Sequence, residues 1–293
     1  MAATAVWQIA SIVVAQKHLA DISQRLGDIE TGLERVEGKI DATRRSKLKG
    51  AIDYLKEISE SILGGDFSTH FRIKLEDHAN EMMEAKHQVE DILKARIAGL
   101  LSIQDPDTLN ADGYANLIRK EMADIAVHFR EALLCSRARF QAWSLLAVMP
   151  GNETLKPKRY ENILGDLNKL LDPNLVMGEF SRKIHTMISR IHARVWTAEA
   201  LSKLRMDVSN EFEKLKSDLW SDFESERKLV EQGADLLKDT EQPTRILVQT
   251  KGDEVISLKH LPANELPQIS HQNLLPSVFS QQTIQSAIQN RPY

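Results

Sequence analysis

The chain has 293 residues, of which 42% are hydrophobic and 27% charged, a globular composition that excludes disorder throughout the chain. Its formal net charge of −4 leaves no overall positive field to hold a nucleic acid, so a nucleic-acid partner is not expected. The single cysteine, Cys135, excludes an intramolecular disulfide bond and a cysteine-based zinc site. Aromatic residues make up only 5%, and most glycines and prolines fall at boundaries, which predicts an all-α chain.

The most apolar stretch is residues 5–15, AVWQIASIVVA. A transmembrane helix needs about 20 apolar residues, so this stretch is too short by about half. It also lacks the basic start and the cleavage site of a secretory signal, so we expect a cytoplasmic protein, with non-classical secretion left open. The stretch either packs inside a helical bundle or forms a membrane arm. The large side chains of that arm would be Trp7, Ile9, Ile12, Val13 and Val14.

A coiled-coil pattern follows, with apolar residues at alternating spacings of three and four. Its seam positions are Leu19, Ile22, Leu26, Ile29, Leu33, Val36 and Ile40. This repeat predicts a narrow apolar seam that packs against one or two other helices, within the chain or in a second copy. Gly27, Gly32 and Gly38 lie off the seam, and each destabilises the helix by about 1 kcal/mol relative to alanine. The helix therefore depends on its partners.

Four further helices are predicted in chain order. The apolar spacing and the flanking turn residues place them at residues 48–62, 69–103, 111–149 and 159–171. The second of them begins after a capping residue, Ser68 or Thr69. The second half of the helix at 111–149 is apolar on more than one face, which indicates a central position.

The last predicted helix is the longest, because residues 176–240 contain no proline. A bend or a break within it is left open, although the sequence offers no clear place for one. After Pro243, two short apolar runs around Lys251, Gly252 and Asp253 predict a small β-hairpin within residues 241–260. Residues 261–293 are rich in proline and glutamine, and we expect an extended or disordered tail. The predicted fold is an elongated antiparallel helical bundle over residues 1–240, with coiled-coil segments and one very long C-terminal helix, followed by the hairpin and tail.

No residue pattern predicts a catalytic, cofactor or metal site. The pair Gly38-Lys39 lacks the spacing and the following hydroxyl of a phosphate-binding loop. Glu84 and His87 form half of a di-metal helical motif, and no second half is present. Cys135 lies among apolar residues of a helix, so we expect a packed, inert thiol.

The most basic local surface is predicted at residues 181–197, which contain no acidic residue. Its members are Arg182, Lys183, Arg190 and Arg194. This basic face could meet anionic lipid, an acidic partner or a nucleic-acid backbone, or it could pair with the acidic stretch 211–241 of the same chain. Arg44 lies in a second small basic cluster with the same two interpretations.

Taken together, these patterns predict a non-enzymatic assembly protein that acts through coiled-coil packing with itself or with another helical protein. The alternative is a membrane-active helical protein, either a pore-forming toxin subunit or a membrane-remodelling factor, that uses the apolar N-terminal segment. Neither role requires a cofactor, and a membrane surface is a partner only in the second.

Overall fold

A computed structural model describes residues 2–36, 40–63, 68–103, 110–149, 154–170, 176–193, 196–241, 245–251 and 254–261, with side chains described from residue 18 to residue 238. The chain forms two compact units, Met1–Gln242 and Pro243–Tyr293. The first unit is a set of packed helices, which confirms the prediction of a helical bundle.

The helices of the first unit follow one another with short connections. They are α1 (Ala2–Val36), α2 (Ala42–Leu63), α3 (Thr69–Gly99), a 3₁₀ turn (Leu100–Ser102), α4 (Ala111–Val148), α5 (Leu155–Lys169), α6 (Met177–Ser189), α7 (Ala198–Glu231) and α8 (Gly233–Glu241). Ser68 caps α3 as predicted, because its hydroxyl accepts a hydrogen bond from the Phe71 backbone amide. Asn110 caps α4 in the same way, through the Gly113 amide.

Helix α4 is the centre of the bundle and contacts α1, α2, α3, α5, α6, α7 and α8. Within residues 125–148, every side chain is buried except Arg130, Arg137 and Arg139. Each of these three arginines forms an ion pair with an acidic residue of α5 or α7. This segment is buried on every side except at the three arginines, which agrees with the central position predicted for the helix.

The seven predicted seam residues, six in α1 and Ile40 just after it, pack inside the same chain. All seven, from Leu19 to Ile40, are between 0% and 9% exposed, and α1 contacts α2 and α4. Helices α1 and α2 are antiparallel, because Ser23 contacts Ser59 while Glu30 pairs with Lys56 at 2.6 Å.

The predicted antiparallel arrangement is wrong for α4 and α7, which run parallel. Three ion pairs join them in ascending order along both helices: Arg119–Glu211 at 2.7 Å, Arg130–Asp222 at 2.9 Å and Arg137–Glu226 at 2.5 Å. The reason is the intervening chain: α5 runs back along α4, so the chain returns towards the start of α4 before α7 begins. Arg139 of α4 pairs with Asp166, and the indole of Trp143 bonds the Lys156 carbonyl, which fixes this direction of α5.

The single long helix predicted over residues 176–240 is also wrong, because the chain forms α6, α7 and α8 there. The Ile191 carbonyl, just after α6, accepts a hydrogen bond from the Arg205 guanidinium at 2.9 Å instead of continuing the helix. Thr197 then starts α7 by accepting a hydrogen bond from the Ala200 amide. A second break at Gln232 places Gly233 against three aromatic rings, described below.

The second unit contains two strands, β1 (Arg245–Lys251) and β2 (Glu254–Leu261). They pair antiparallel from Arg245 opposite Leu261 to Lys251 opposite Glu254, with a register shift between Gln249 and Thr250. The predicted turn residues Gly252 and Asp253 and the predicted tail from residue 262 lie outside the described residues.

Candidate functional site

The first polar centre of the bundle surrounds Glu131, an α4 residue that is only 1% exposed. Its Oε1 accepts a hydrogen bond from Arg44 Nε at 2.7 Å, and its Oε2 lies 3.1 Å from His128 Nδ1. Burial alone would raise the pKa of this carboxyl, but the hydrogen bonds from His128 and Arg44 outweigh it and lower the pKa. Arg44, from the second predicted basic cluster, is therefore used inside the chain.

Cys135 lies one turn along α4 from Glu131 and is buried. Burial, and then the negative charge of Glu131, raise the pKa of the thiol to about 12. A thiol with this pKa stays protonated at neutral pH and is a poor nucleophile. This agrees with the packed, inert cysteine expected from the sequence.

The second polar centre is Glu226 of α7, which is fully buried. Its Oε2 accepts a hydrogen bond from Arg137, whereas its Oε1 has no hydrogen-bond partner among the described residues. Burial raises the pKa of this carboxyl, and the charges of Arg137 and Arg25 oppose the rise only in part. One turn from Arg137, the buried amide of Gln141 likewise finds no hydrogen-bond partner in the described part of the chain.

Two of the four residues of the predicted basic face hold α6 against the end of α3 and the 3₁₀ turn that follows it. Lys183 donates hydrogen bonds to the carbonyls of Ile97 and Ala98 at 2.9 and 3.0 Å, at the end of α3, where a helix favours positive charge. Arg190 reaches the Leu101 carbonyl at 3.5 Å. Arg182 is exposed, and Arg194 lies outside the described residues.

The half motif for a metal site does not assemble into a ligand set. His78 bonds Glu81 at 2.9 Å, and no group of three or more histidine, cysteine, aspartate or glutamate residues in the described ranges could hold a metal ion. Asp124 binds Arg96 at 3.2 Å, and His128 one turn further along α4 binds Glu131 at 3.1 Å.

Helix α1 continues beyond the helix that it packs against. The contacts of Ser23 with Ser59 and of Glu30 with Lys56 place the last residue of α2, Leu63, opposite the seam residues near position 20. Residues 2–17 of α1 therefore extend for about 24 Å past the end of α2, at 1.5 Å per residue. No described helix has the length and apolarity to cross a membrane. The side chains of this projecting segment, from Trp7 to Val14, lie outside the described residues.

Three exposed apolar side chains lie at the same end of the bundle. They are Leu63 at the end of α2 (49% exposed), Ile73 near the start of α3 (55%) and Leu155 at the start of α5 (42%). The starts of α3 and α5 are joined by the ion pair between Glu76 and Arg159 at 2.9 Å. We call these three residues the apolar rim.

No family model, no curated protein and no solved structure matches the chain.

Proposed function

We propose that this chain is a non-enzymatic interaction protein in which the helical bundle presents residues 2–17 of α1 as the contact element. The observation that carries the proposal is the register of α1 on α2, which leaves these residues beyond the end of α2. The partner is a second copy of the chain or another helical protein. The buried Cys135 thiol, with its raised pKa, and the hydrogen-bonded Glu131 carboxylate are both unavailable for catalysis, which supports a non-enzymatic role.

The contact element differs from the seam predicted by the heptads. Because the seam residues are buried against α2 and α4, a second copy could reach them only by opening the bundle. The segment before the seam needs no such opening. Nine of its central eleven residues, 5–15, are apolar, and the hydrophobic effect favours their removal from water.

A membrane-active helical protein is the second candidate, as a pore-forming toxin subunit or a membrane-remodelling factor. The observation that favours it is the width of the apolar surface in residues 5–15. At about 100° per residue, the large apolar positions cover about 220° of a helix, and Gln8 and Ser11 fall in the remaining arc. A single partner helix covers a narrower stripe.

Sedimentation velocity over a range of protein concentrations tests the proposed function. The wild-type chain should associate as its concentration rises, because the contact element is covered by other copies when no other partner is present. The variant Ile12→Asp/Val13→Asp should stay monomeric, since two buried charges would oppose the contact.

A matched control adds the same two charges to the polar arc of the same segment, in Gln8→Asp/Ser11→Asp, and should still associate. The proposal fails if the wild-type chain is monomeric at every concentration, or if the control variant is disrupted as strongly as the apolar one. Circular dichroism should show that all three proteins keep the helical bundle.

A further inference from the structure

The apolar surface of residues 5–15 is broad, and its breadth favours one kind of binding partner over another. A helix of a second copy would contact one side of residues 5–15, leaving much of the 220° arc in water. A lipid leaflet surrounds an inserted helix and covers the whole arc at once.

The length of the segment sets the depth that it can reach. Eleven helical residues are about 16 Å long, close to half of the ~30 Å hydrocarbon thickness of a bilayer. The segment is therefore long enough for one leaflet and too short for two. The first charged residue that follows it is Lys17, which can remain at the headgroups.

The apolar rim gives the end of the bundle a second contact with the same surface. Leu63, Ile73 and Leu155 lie at the end of the bundle where α1 extends past α2, and each exposes about half of its surface. They are three of the five large hydrophobic residues that are exposed in the described part of the chain. A flat apolar surface reached by α1 would also meet these side chains.

The charges near the rim do not supply the attraction. Arg72, Lys74 and Lys158 are accompanied by Glu60 and Asp77, and Lys74 lies 3.8 Å from Asp77. The whole chain has a net charge of −4, which opposes approach to an anionic membrane. Binding must therefore come from burial of apolar surface, and it should be insensitive to salt.

From these observations we propose that the partner of the contact element is a lipid bilayer: residues 5–15 insert into one leaflet, and the apolar rim rests on its surface. This inference rests on the second candidate function: it keeps residues 2–17 as the contact element and takes a membrane, in place of a second copy or another helical protein, as the partner. It names lipid as the partner and apolar insertion as the mode of binding.

Flotation with vesicles of phosphatidylcholine alone, at low and high salt, is the first test. The full-length protein should float with these neutral vesicles at both salt concentrations. Ile12→Asp/Val13→Asp should bind about 100-fold more weakly, because two buried aliphatic groups are replaced by charges. Gln8→Asp/Ser11→Asp should also lose vesicle binding, because a leaflet surrounds the inserted segment on every side, whereas it should keep self-association through a protein contact. Leu63→Asn/Ile73→Asn/Leu155→Asn should bind several-fold more weakly.

Quenching of tryptophan fluorescence by brominated phosphatidylcholine provides the second measurement. Trp7→Phe should abolish the quenching, because Trp7 is the tryptophan placed in the leaflet. Trp220→Phe removes a half-exposed tryptophan of α7 and should leave the quenching unchanged.

Two results would overturn the inference: binding that requires anionic lipid and disappears in high salt, or quenching that persists in Trp7→Phe. Absence of vesicle binding, together with self-association that depends on Ile12 and Val13, would overturn the lipid partner and leave the proposed function standing. Absence of both vesicle binding and self-association would overturn both.

Discussion

The central helix α4 is held from two sides, and a buried carboxylate on each side responds differently to its surroundings. On the side of α2, both oxygens of Glu131 accept hydrogen bonds, and the pKa of the carboxyl is lowered. On the side of α7, Glu226 has one bonded oxygen and a raised pKa. Both side chains are almost inaccessible to solvent, but Glu226 lies deeper in the protein, so its greater burial and its single donor together leave the pKa raised, whereas the donors to Glu131 outweigh a smaller burial effect.

The two sides of α4 also differ in the space around a glycine that packs against it. A Cβ atom on Gly32 of α1 would meet only the flexible tip of Leu134, at 2.7 Å. A Cβ atom on Gly233 of α8 would meet the rings of Phe140, Trp143 and Tyr160, all within 2.9 Å. On the α1–α2 side, both oxygens of the buried carboxylate are hydrogen-bonded, and the one side chain close to Gly32 can move. On the α7–α8 side, one oxygen of Glu226 has no partner among the described residues, and Gly233 is enclosed by rings.

The largest expected effect is the loss of Arg44, because it leaves Glu131 buried with His128 as its remaining partner. Arg44→Ala should lower the free energy of unfolding by about 3–5 kcal/mol, measured by urea denaturation. Lys47→Ala, which changes an exposed lysine three residues further along α2, should change it by less than about 0.5 kcal/mol. An Arg44→Ala effect as small as that of Lys47→Ala would remove the distinction between the two sides of α4.

Neutralising each carboxylate should give results of different sign. Glu131→Gln should destabilise the bundle by about 2 kcal/mol at neutral pH, because it removes charge-assisted hydrogen bonds. Glu226→Gln should be neutral or slightly stabilising, because it removes the burial of a poorly satisfied charge. Urea denaturation of both variants beside wild type measures the difference, and equal destabilisation by the two changes would contradict the account.

The free energy of unfolding should depend on pH in opposite ways through Glu131 and Glu226. The stabilisation from Glu131 is present above the ordinary carboxyl pKa of 4.5 and is lost as the pH falls through its lowered folded-state pKa. The contribution of Glu226 has the opposite sign: it is fully present below 4.5 and is lost as the pH rises through its raised folded-state pKa. Glu226→Gln should therefore gain stability relative to wild type as the pH increases from 4.5, and a constant difference between them would contradict the assignment.

The smallest expected effects come from the two glycines. Gly233→Ala should destabilise the bundle by about 1–2 kcal/mol, because three packed rings must shift. Gly32→Ala should be close to neutral, since movement of the Leu134 tip is offset by the higher helix propensity of alanine. Thermal unfolding of both variants measures the difference; Gly27→Ala, with open space at its Cβ position, is the control and should stabilise by up to about 1 kcal/mol.

The helices with a clear apolar period could be predicted from the sequence, because their buried faces and caps are local features. Residues 111–149 were predicted as one helix, and α4 spans nearly the same residues. The break after α6 was missed because Arg205 bonds the Ile191 carbonyl from a distant position. Thr197, with Glu199 in the first turn of α7, was a local signal for the new helix.

The polar centres could be predicted only in part. Glu226 follows Leu219 and Phe223 and precedes Val230 on one apolar stripe, which marks it as a buried acid. Its partner Arg137 could not be predicted, because no local pattern shows that α7 runs parallel to α4. Likewise, Arg44 is separated from Glu131 by 87 residues, and only the packing of α2 on α4 brings them together.

Amide hydrogen exchange along α1 tests most directly the claim that residues 2–17 are the contact element. In dilute protein without lipid, amides of residues 2–17 should exchange quickly, whereas those from residue 18 to residue 36 should be protected by the bundle. Added phosphatidylcholine vesicles should slow exchange in residues 5–15 and leave residues 18–36 unchanged. Equal, strong protection along the whole of α1 in the free protein, unaffected by vesicles, would contradict the account.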